Sequence, residues 1–248
     1  MEITIAHLYP ELLNLYGDKG NIATLKWRME QRGINVTVKE YALEDEIDFD
    51  GTDILFIGGG SEKAVRMAAN RLCEIKKKFE AYADNDGVVL AVCEGFHLIG
   101  TYYKLNGEKI KCAGIIDIFA EYTPDRLIGD VLLQSNAIGS TVVGFENHCG
   151  RVEIGCYKPL GKVLYGYGNT DSAQYEGVVH QNIVGTHLHG PLLPKNPKLA
   201  DYIISRALKK KYGSVTLSEI DDTLELQAHK YMADRYKNCV RKKNDDDI

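Results

Sequence analysis

Cys93 is the residue in this sequence whose setting is best suited to chemistry. It follows the apolar run Val88-Val89-Leu90-Ala91-Val92 and precedes Glu94-Gly95-Phe96-His97-Leu98-Ile99-Gly100, where the pattern turns amphipathic. That change of pattern predicts a buried strand turning sharply into a helix, with a nucleophile held above the carboxyl end of a sheet. The N-terminus of such a helix aims free backbone N–H groups at a developing oxyanion and depresses the pKa of a thiol beside it. A buried free cysteine, a common core residue, is the plain alternative. The second candidate lies in Ile183-Val184-Gly185-Thr186-His187-Leu188-His189, an apolar strand ending in two histidines before Gly190-Pro191 break the element. Spaced i, i+2, they share one face of a strand, and a strand-end histidine can reach a strand-end cysteine to serve as its base. A hydrogen-bonded core or surface histidine is the alternative.

Gly58-Gly59-Gly60-Ser61 supplies a third element of chemistry at another strand end. Three glycines permit close backbone approach and unusual dihedrals, which suits a phosphate cradle or an oxyanion hole. No Gly-Lys-Ser/Thr follows, and Gly17-Asp18-Lys19-Gly20-Asn21 has the wrong order for a P-loop. An oxyanion site shared with the backbone N–H of Glu94 is therefore the better use, and a plain tight turn is the default.

The elements that must position these groups alternate. Residues 3–8, 34–39, 53–57 and 88–92 read as strands. Residues 21–32 read as a helix burying Ile22, Leu25, Trp27 and Met29, and a longer helix covers about 62–82. This order predicts an α/β fold: a central, mostly parallel sheet with helices on both faces and its sites at the carboxyl ends of the strands. From residue 111 to 168 short runs rich in Gly, Val, Ile and Tyr predict an antiparallel extension of that sheet. Helices return over 197–212 and about 219–240, the latter with Leu224, Ala228, Tyr231 and Met232 on a buried stripe, before a charged, frayed tail at 241–247.

Composition bounds the rest. With 248 residues, 44% hydrophobic and 26% charged, the chain can bury a full core as one large or two small domains. No run approaches the roughly 20 apolar residues of a membrane span. The N-terminus opens a strand and not a signal sequence, so no transmembrane segment and a cytoplasmic location are expected. The six cysteines include no Cys-x-x-Cys, which points away from disulfide frameworks and zinc knuckles. His148 and Cys149 are adjacent and point apart on an extended backbone, so no metal site is expected. A net charge of -5 disfavours a nucleic-acid partner.

Four ordered motifs then carry a resemblance: Gly58–Ser61, the Cys93 elbow through Gly100, Gly144-Phe145-Glu146-Asn147-His148-Cys149-Gly150-Arg151, and the stretch from Gly185 to Pro197. Together they resemble class I glutamine amidotransferase domains of the cobyric acid synthase (CobB/CobQ-like) type, and within these the glutaminase subunits of lipid II isoglutaminyl synthase. The likeness runs from Ile3 to about Lys210. It implies a flavodoxin-like glutamine amidotransferase domain over 1–212 and a helical extension with a charged tail over 213–248. It also implies that Cys93 attacks the carboxamide of L-glutamine to form a glutamyl thioester, with His189 as base. Gly59 or Gly60, with the N–H of Glu94, would hold the oxyanion, and Arg126 would pair with the substrate α-carboxylate.

Departures from the family pattern accompany the likeness. Glu94 stands where a small residue is usual, placing a negative charge beside the nucleophile. His97 stands where a glutamine is usual, four residues after Cys93 on the same helix face, within reach of the substrate or of the thiol proton. Gly190-Pro191 replaces the His-x-Glu acid of many class I enzymes. The chain carries no recognisable ATP site, so the resemblance implies a heterodimer with a Mur-ligase-like (MurT-like) synthetase. That partner would hold ATP and Mg²⁺ and use the ammonia to amidate the D-glutamate of lipid II in peptidoglycan synthesis. The alternatives are a glutaminase subunit for another acceptor, such as a cobyrinic-acid-type synthase, and a non-catalytic or redox-sensing flavodoxin-like subunit.

Overall fold

The computed structural model describes residues 1–172 and 174–245, with side chains through Tyr236. The first part runs β1 (Glu2–Leu8), α1 (Lys19–Glu30), β2 (Asn35–Tyr41), β3 (Ile54–Ile57), α2 (Glu62–Glu74), α3 (Lys76–Asp84), β4 (Val88–Val92) and a one-turn α4 (Glu94–Leu98). There follow β5 (Tyr102–Leu105), β6 (Glu108–Lys111), β7 (Phe119–Ser135), β8 (Ser140–Glu153), β9 (Gly161–Tyr165) and β10 (Tyr175–Glu176). β11 (Val178–His180), β12 (Ile183–Thr186), α5 (Pro197–Tyr212) and α6 (Thr223–Asp245) complete the chain.

The central sheet has the order β11-β12-β4-β3-β1-β2, parallel throughout except for β11 at the edge. Its inner strands β3 and β4 are apolar at every position and buried on both faces, as strands covered by two helical layers must be. Alternation along the strands divides the core. Leu55, Ile57, Val89 and Ala91 meet Ala64, Val65, Leu72, Phe79 and Phe96 of α2, α3 and α4. Ile54, Phe56, Leu90 and Val92 meet Leu25, Met29, Ile203 and Ala207 of α1 and α5 on the opposite face.

The β-rich middle forms a second sheet, β10-β9-β7-β5-β6 with β8 paired to β7, in place of the expected extension of the first. The antiparallel extension of the central sheet itself is only the short β11. One isolated bridge, Phe145 to His189, joins the long β7/β8 hairpin to the end of β12. That bridge sets the second sheet over the carboxyl ends of the first.

Three local expectations change. The 62–82 helix breaks at Ile75, whose φ of -97° and ψ of 9° leave the helical region. On α1, Trp27 is exposed and Arg28 is buried at 1% exposure. The Arg28 guanidinium donates at 2.8 Å to each oxygen of Asp201 and also to Asp222, partners 173 and 194 residues away that helical periodicity cannot reveal. On α6, Leu224 and Tyr231 are exposed, as is Ala228. The inward face carries Ala233 and Tyr236, packed on Leu132 and Val143 with Met232 partly buried beside them. Tyr236 stacks on Tyr165 at 4.3 Å and its hydroxyl donates to Asp130, which turns the helix about its axis from the expected stripe. The charged run at 241–247 lies outside the residues whose side chains are described.

Candidate active site

Cys93 is held in a conformation that few non-glycine residues adopt, with φ 57° and ψ -122°. Such backbone costs of order 1–3 kcal/mol and persists only where the surroundings impose it. Here the Cys93 N–H donates to Thr186 O at 2.8 Å, continuing the parallel pairing of β4 with β12 one residue past Val92 and Thr186. The same pairing carries the chain after Thr186, and so His189, to the elbow's side of the sheet.

His189 is fixed by its backbone and by two rings. Its N–H donates to Phe145 O at 3.0 Å. Its imidazole lies flat on Tyr16 at 4.1 Å and 11°, with Phe145 edge-on at 5.7 Å. Among the described residues neither ring nitrogen has a hydrogen-bond partner. Burial pushes its pKa down to about 4, helped by His148 and Lys195, so the ring is neutral and ready to accept a proton at ordinary pH.

Gly59 is required by close approach. A Cβ there would lie 2.6 Å from Glu94 Oε2, 2.8 Å from Cys93 Cβ and 3.3 Å from Cys93 Sγ. The expected oxyanion donors converge on this point, but none is free. The Gly59 N–H donates to Asp18 Oδ2 at 2.8 Å, and the Gly60 N–H donates to Glu94 Oε2 at 3.1 Å. The N–H of Glu94 donates to its own carboxylate and to the Cys93 sulfur. The thiol in turn donates to Glu94, and burial, followed by the Glu94 charge, raises its pKa well above 9.0. The expected depression of the thiol pKa at the helix N-terminus is thus overturned: a one-turn helix in a dry site, with a carboxylate on the sulfur, favours the protonated form.

His97 is buried on the elbow helix among other rings. Its Nε2 lies 3.0 Å from His187 Nε2 and its Nδ1 3.1 Å from Tyr122 Oη, and the ring is buried against Gly150. His187 lies flat on His148 at 3.7 Å and sits 3.3 Å from Glu176 Oε1, while His148 Nε2 lies 3.4 Å from Glu146 Oε2. The carboxylates near the site histidines therefore serve His187 and His148, and none among the described residues contacts His189. Burial pushes His97 down to about 3 and Glu176 up to about 8, so both are neutral at ordinary pH in a buried, hydrogen-bonded cluster beside the elbow helix.

Arg126 is exposed beside the bulge in β7, between Tyr122 and Leu127. It donates to Asn147 Oδ1 at 2.8 Å, with the Tyr16 hydroxyl close enough to feel its charge. Tyr16 thus neighbours both Arg126 and His189. Tyr16 and Asp18, both in the loop after β1, are site residues that sequence reasoning passed over. Gly17–Asn21 resembles only a phosphate loop of the wrong order, and a tyrosine's stacking partner 173 positions later leaves no local signal.

A strained cysteine at the carboxyl end of a parallel strand, with a neutral histidine at the end of the next, belongs to the glutamine amidotransferase class, and residues 4–197 match the profile of the CobB/CobQ-like glutamine amidotransferase domain. The chain is a member of that family. It is 39% identical over 235 residues to the GatD subunit of lipid II isoglutaminyl synthase (glutamine-hydrolyzing) of Staphylococcus aureus, covering 94% of this chain and 96% of that one. The GatD subunit of Streptococcus pneumoniae is 40% identical over 245 residues, with 97% and 93% covered. A cobyric acid synthase of Listeria innocua is 27% identical, with only 36% of its length covered. A crystal structure of a glutamine amidotransferase shares the fold at TM-score 0.54 and 14% identity, with 82% of this chain and 98% of that chain covered.

Proposed function

We propose that this chain is a glutaminase subunit that supplies ammonia to a separate Mur-ligase-like synthetase, as a subunit of a lipid II isoglutaminyl synthase. The observation that carries the reading is the placement of elbow Cys93 and neutral His189 at the ends of the paired strands β4 and β12, in a chain that aligns along nearly its whole length with two GatD subunits. In this reading the Cys93 thiol passes its proton to His189 as Sγ attacks the glutamine carboxamide carbon. The C–N bond breaks while the imidazolium protonates the departing nitrogen, leaving ammonia and a glutamyl thioester. Neutral His189 then takes a proton from water, which attacks the thioester and releases glutamate. Arg126, exposed and held by Asn147 beside Tyr16, pairs with the α-carboxylate of glutamine.

The partner would contribute ATP, Mg²⁺ and the lipid II binding surface, and the pair would act in the cytoplasm as a heterodimer. No helix among the described residues is long and apolar enough to cross a membrane. Redox sensing fits the site poorly, because sensor cysteines are accessible and of low pKa, and Cys93 is buried and protonated. The test is glutamate release by the wild type, Cys93→Ala and His189→Ala, each with and without the synthetase. Loss in both variants and stimulation of the wild type by the synthetase are expected; hydrolysis that survives Cys93→Ala would refute the assignment.

A further inference from the structure

Two of the N–H groups expected to hold the oxyanion, those of Gly60 and Glu94, point at one acceptor already in the molecule, the Glu94 side chain. Its Oε2 accepts from Gly60 at 3.1 Å, the Glu94 N–H donates to the same carboxylate, and the carboxylate accepts the Cys93 thiol proton. Over Gly59, Oε2 and Sγ crowd the same space, 2.6 Å and 3.3 Å from where a Cβ would stand. The remaining nearby donor, the Gly59 N–H, is held by buried Asp18. Burial raises the Glu94 pKa, and its carboxyl oxygen, held beside the nucleophilic sulfur by the Gly60 amide, stands where an oxyanion site shared by the glycine turn and the elbow would lie.

We propose that Glu94 is an internal occupant of the oxyanion site, which the carboxamide oxygen of the substrate must displace, and that the chain alone is held at low activity by its own side chain. This rests on the glutaminase reading above. The carbonyl oxygen of glutamine and Glu94 Oε2 compete for the same donors, so the attack on the carbonyl proceeds only in the fraction of molecules in which Glu94 has swung aside. A neutral carbonyl oxygen accepts more weakly than a carboxylate, so in the ground state the competition favours Glu94. A partner whose docking drew Glu94 outward would switch the site on without any movement of Cys93 or His189.

The test compares wild type, Glu94→Gln and Glu94→Ala as full chains. Glutamate release from glutamine is measured alongside the rate at which 6-diazo-5-oxo-L-norleucine, a glutamine analogue with an electrophilic ketone, adds to Cys93, followed by intact mass. Circular dichroism confirms that each variant is folded. Glu94→Ala vacates the site, and its hydrolysis and labelling rates rise by at least about tenfold. Glu94→Gln keeps an oxygen for the Gly60 N–H without the charge, competes on even terms with the substrate carbonyl, and its rates rise by clearly less than those of Glu94→Ala. Equal activation in both variants would assign the effect to charge beside the thiol and overturn the occupancy. A folded Glu94→Ala no faster than wild type would overturn it too, leaving the glutaminase reading intact if Cys93 is still labelled. No adduct on Cys93 in any of the three, with or without the synthetase, would overturn the occupancy and the glutaminase reading together.

Discussion

Replacing His7 with phenylalanine should make the fold markedly more resistant to acid. His7 lies on β1, between β3 and the edge strand β2 of the central sheet, with its side chain 1% exposed and edge-on to Phe56 at 5.3 Å. Among the described residues neither ring nitrogen has a hydrogen-bond partner, and Glu40, at 3.8 Å, is itself half in solvent. Burial therefore outweighs Glu40 and lowers the pKa from 6.5 to about 4. The unfolded chain then binds the proton that the folded chain refuses, so the stability present above pH 6.5 is lost as pH falls toward 4. At pH 5.0 an ordinary imidazole is nearly fully protonated, whereas the folded one is protonated about one-tenth of the time, and the linkage amounts to about 2 kcal/mol between pH 7.5 and 5.0. It approaches about 3 kcal/mol near pH 4. His97, His187 and His189 push in the same direction, and Glu176 and Asp18, with raised pKa values, in the opposite one. All of these are common to both proteins and cancel in the difference. The assay is urea unfolding at the two pH values, followed by far-UV circular dichroism because the single tryptophan, Trp27, is 41% exposed in the folded state. Relative to wild type, His7→Phe gains about 2 kcal/mol on going to pH 5.0, whatever its offset at pH 7.5. Parallel losses, within about 0.5 kcal/mol, would refute the claim that burial holds this imidazole neutral.

Other perturbations test other parts of the molecule. Arg28→Met leaves Asp222 without its buried partner, while Asp201 keeps Arg32. Thermal unfolding should show a loss of about 3 kcal/mol, partly restored by adding Asp222→Asn. Tyr16→Ala removes the ring on which His189 lies and should lower kcat/KM of the partnered enzyme by about two- to tenfold, the worth of one aromatic stack. Tyr16→Phe keeps the stack, loses the hydroxyl beside Arg126, and should raise KM more than it lowers kcat. Gly59→Ala drives a methyl group against the Cys93 Cβ and should slow Cys93 labelling by about a hundredfold in both the wild-type and Glu94→Ala backgrounds, measured by intact mass. Labelling at the wild-type rate would show that the elbow tolerates the displacement.

What was legible in the sequence follows physical range. The central strands, the elbow and α5 announce themselves through local runs, because a strand buried on both faces must be apolar throughout and a helix after Pro197 has its start marked. The strand-end positions of Cys93 and His189 were legible for the same reason: each follows such a run. Arg28 was not, because its burial depends on Asp201 and Asp222, and a periodicity rule reads an arginine as solvent-facing. The outward turn of Leu224 and Tyr231 was hidden likewise, since the rotation of α6 is set by Tyr236 on Tyr165 and His229 on Thr141, contacts made across the fold. The orientation of His97 illustrates the limit best. Helical spacing places it on the Cys93 face, yet its ring is drawn inward by His187 and Tyr122, which sequence spacing does not connect to it.

The burial that readies one member of the pair disables the other. A dry site holds His189 neutral, as a base requires, and holds Cys93 protonated, as a nucleophile must not be. Because both displacements come first from desolvation, moving the proton from sulfur to imidazole creates two charges where a buried site has the least to offer them. Glu94 adds to the cost at sulfur and also takes the amides that would stabilise the intermediate. The thiolate and imidazolium are therefore a minor species in the free chain, and catalysis requires the negative charge to be created as it passes to the substrate oxygen and not beforehand. On the occupancy proposed above, such a site wastes little glutamine while it waits, since the groups that would accept the charge become available only when the Glu94 side chain leaves them.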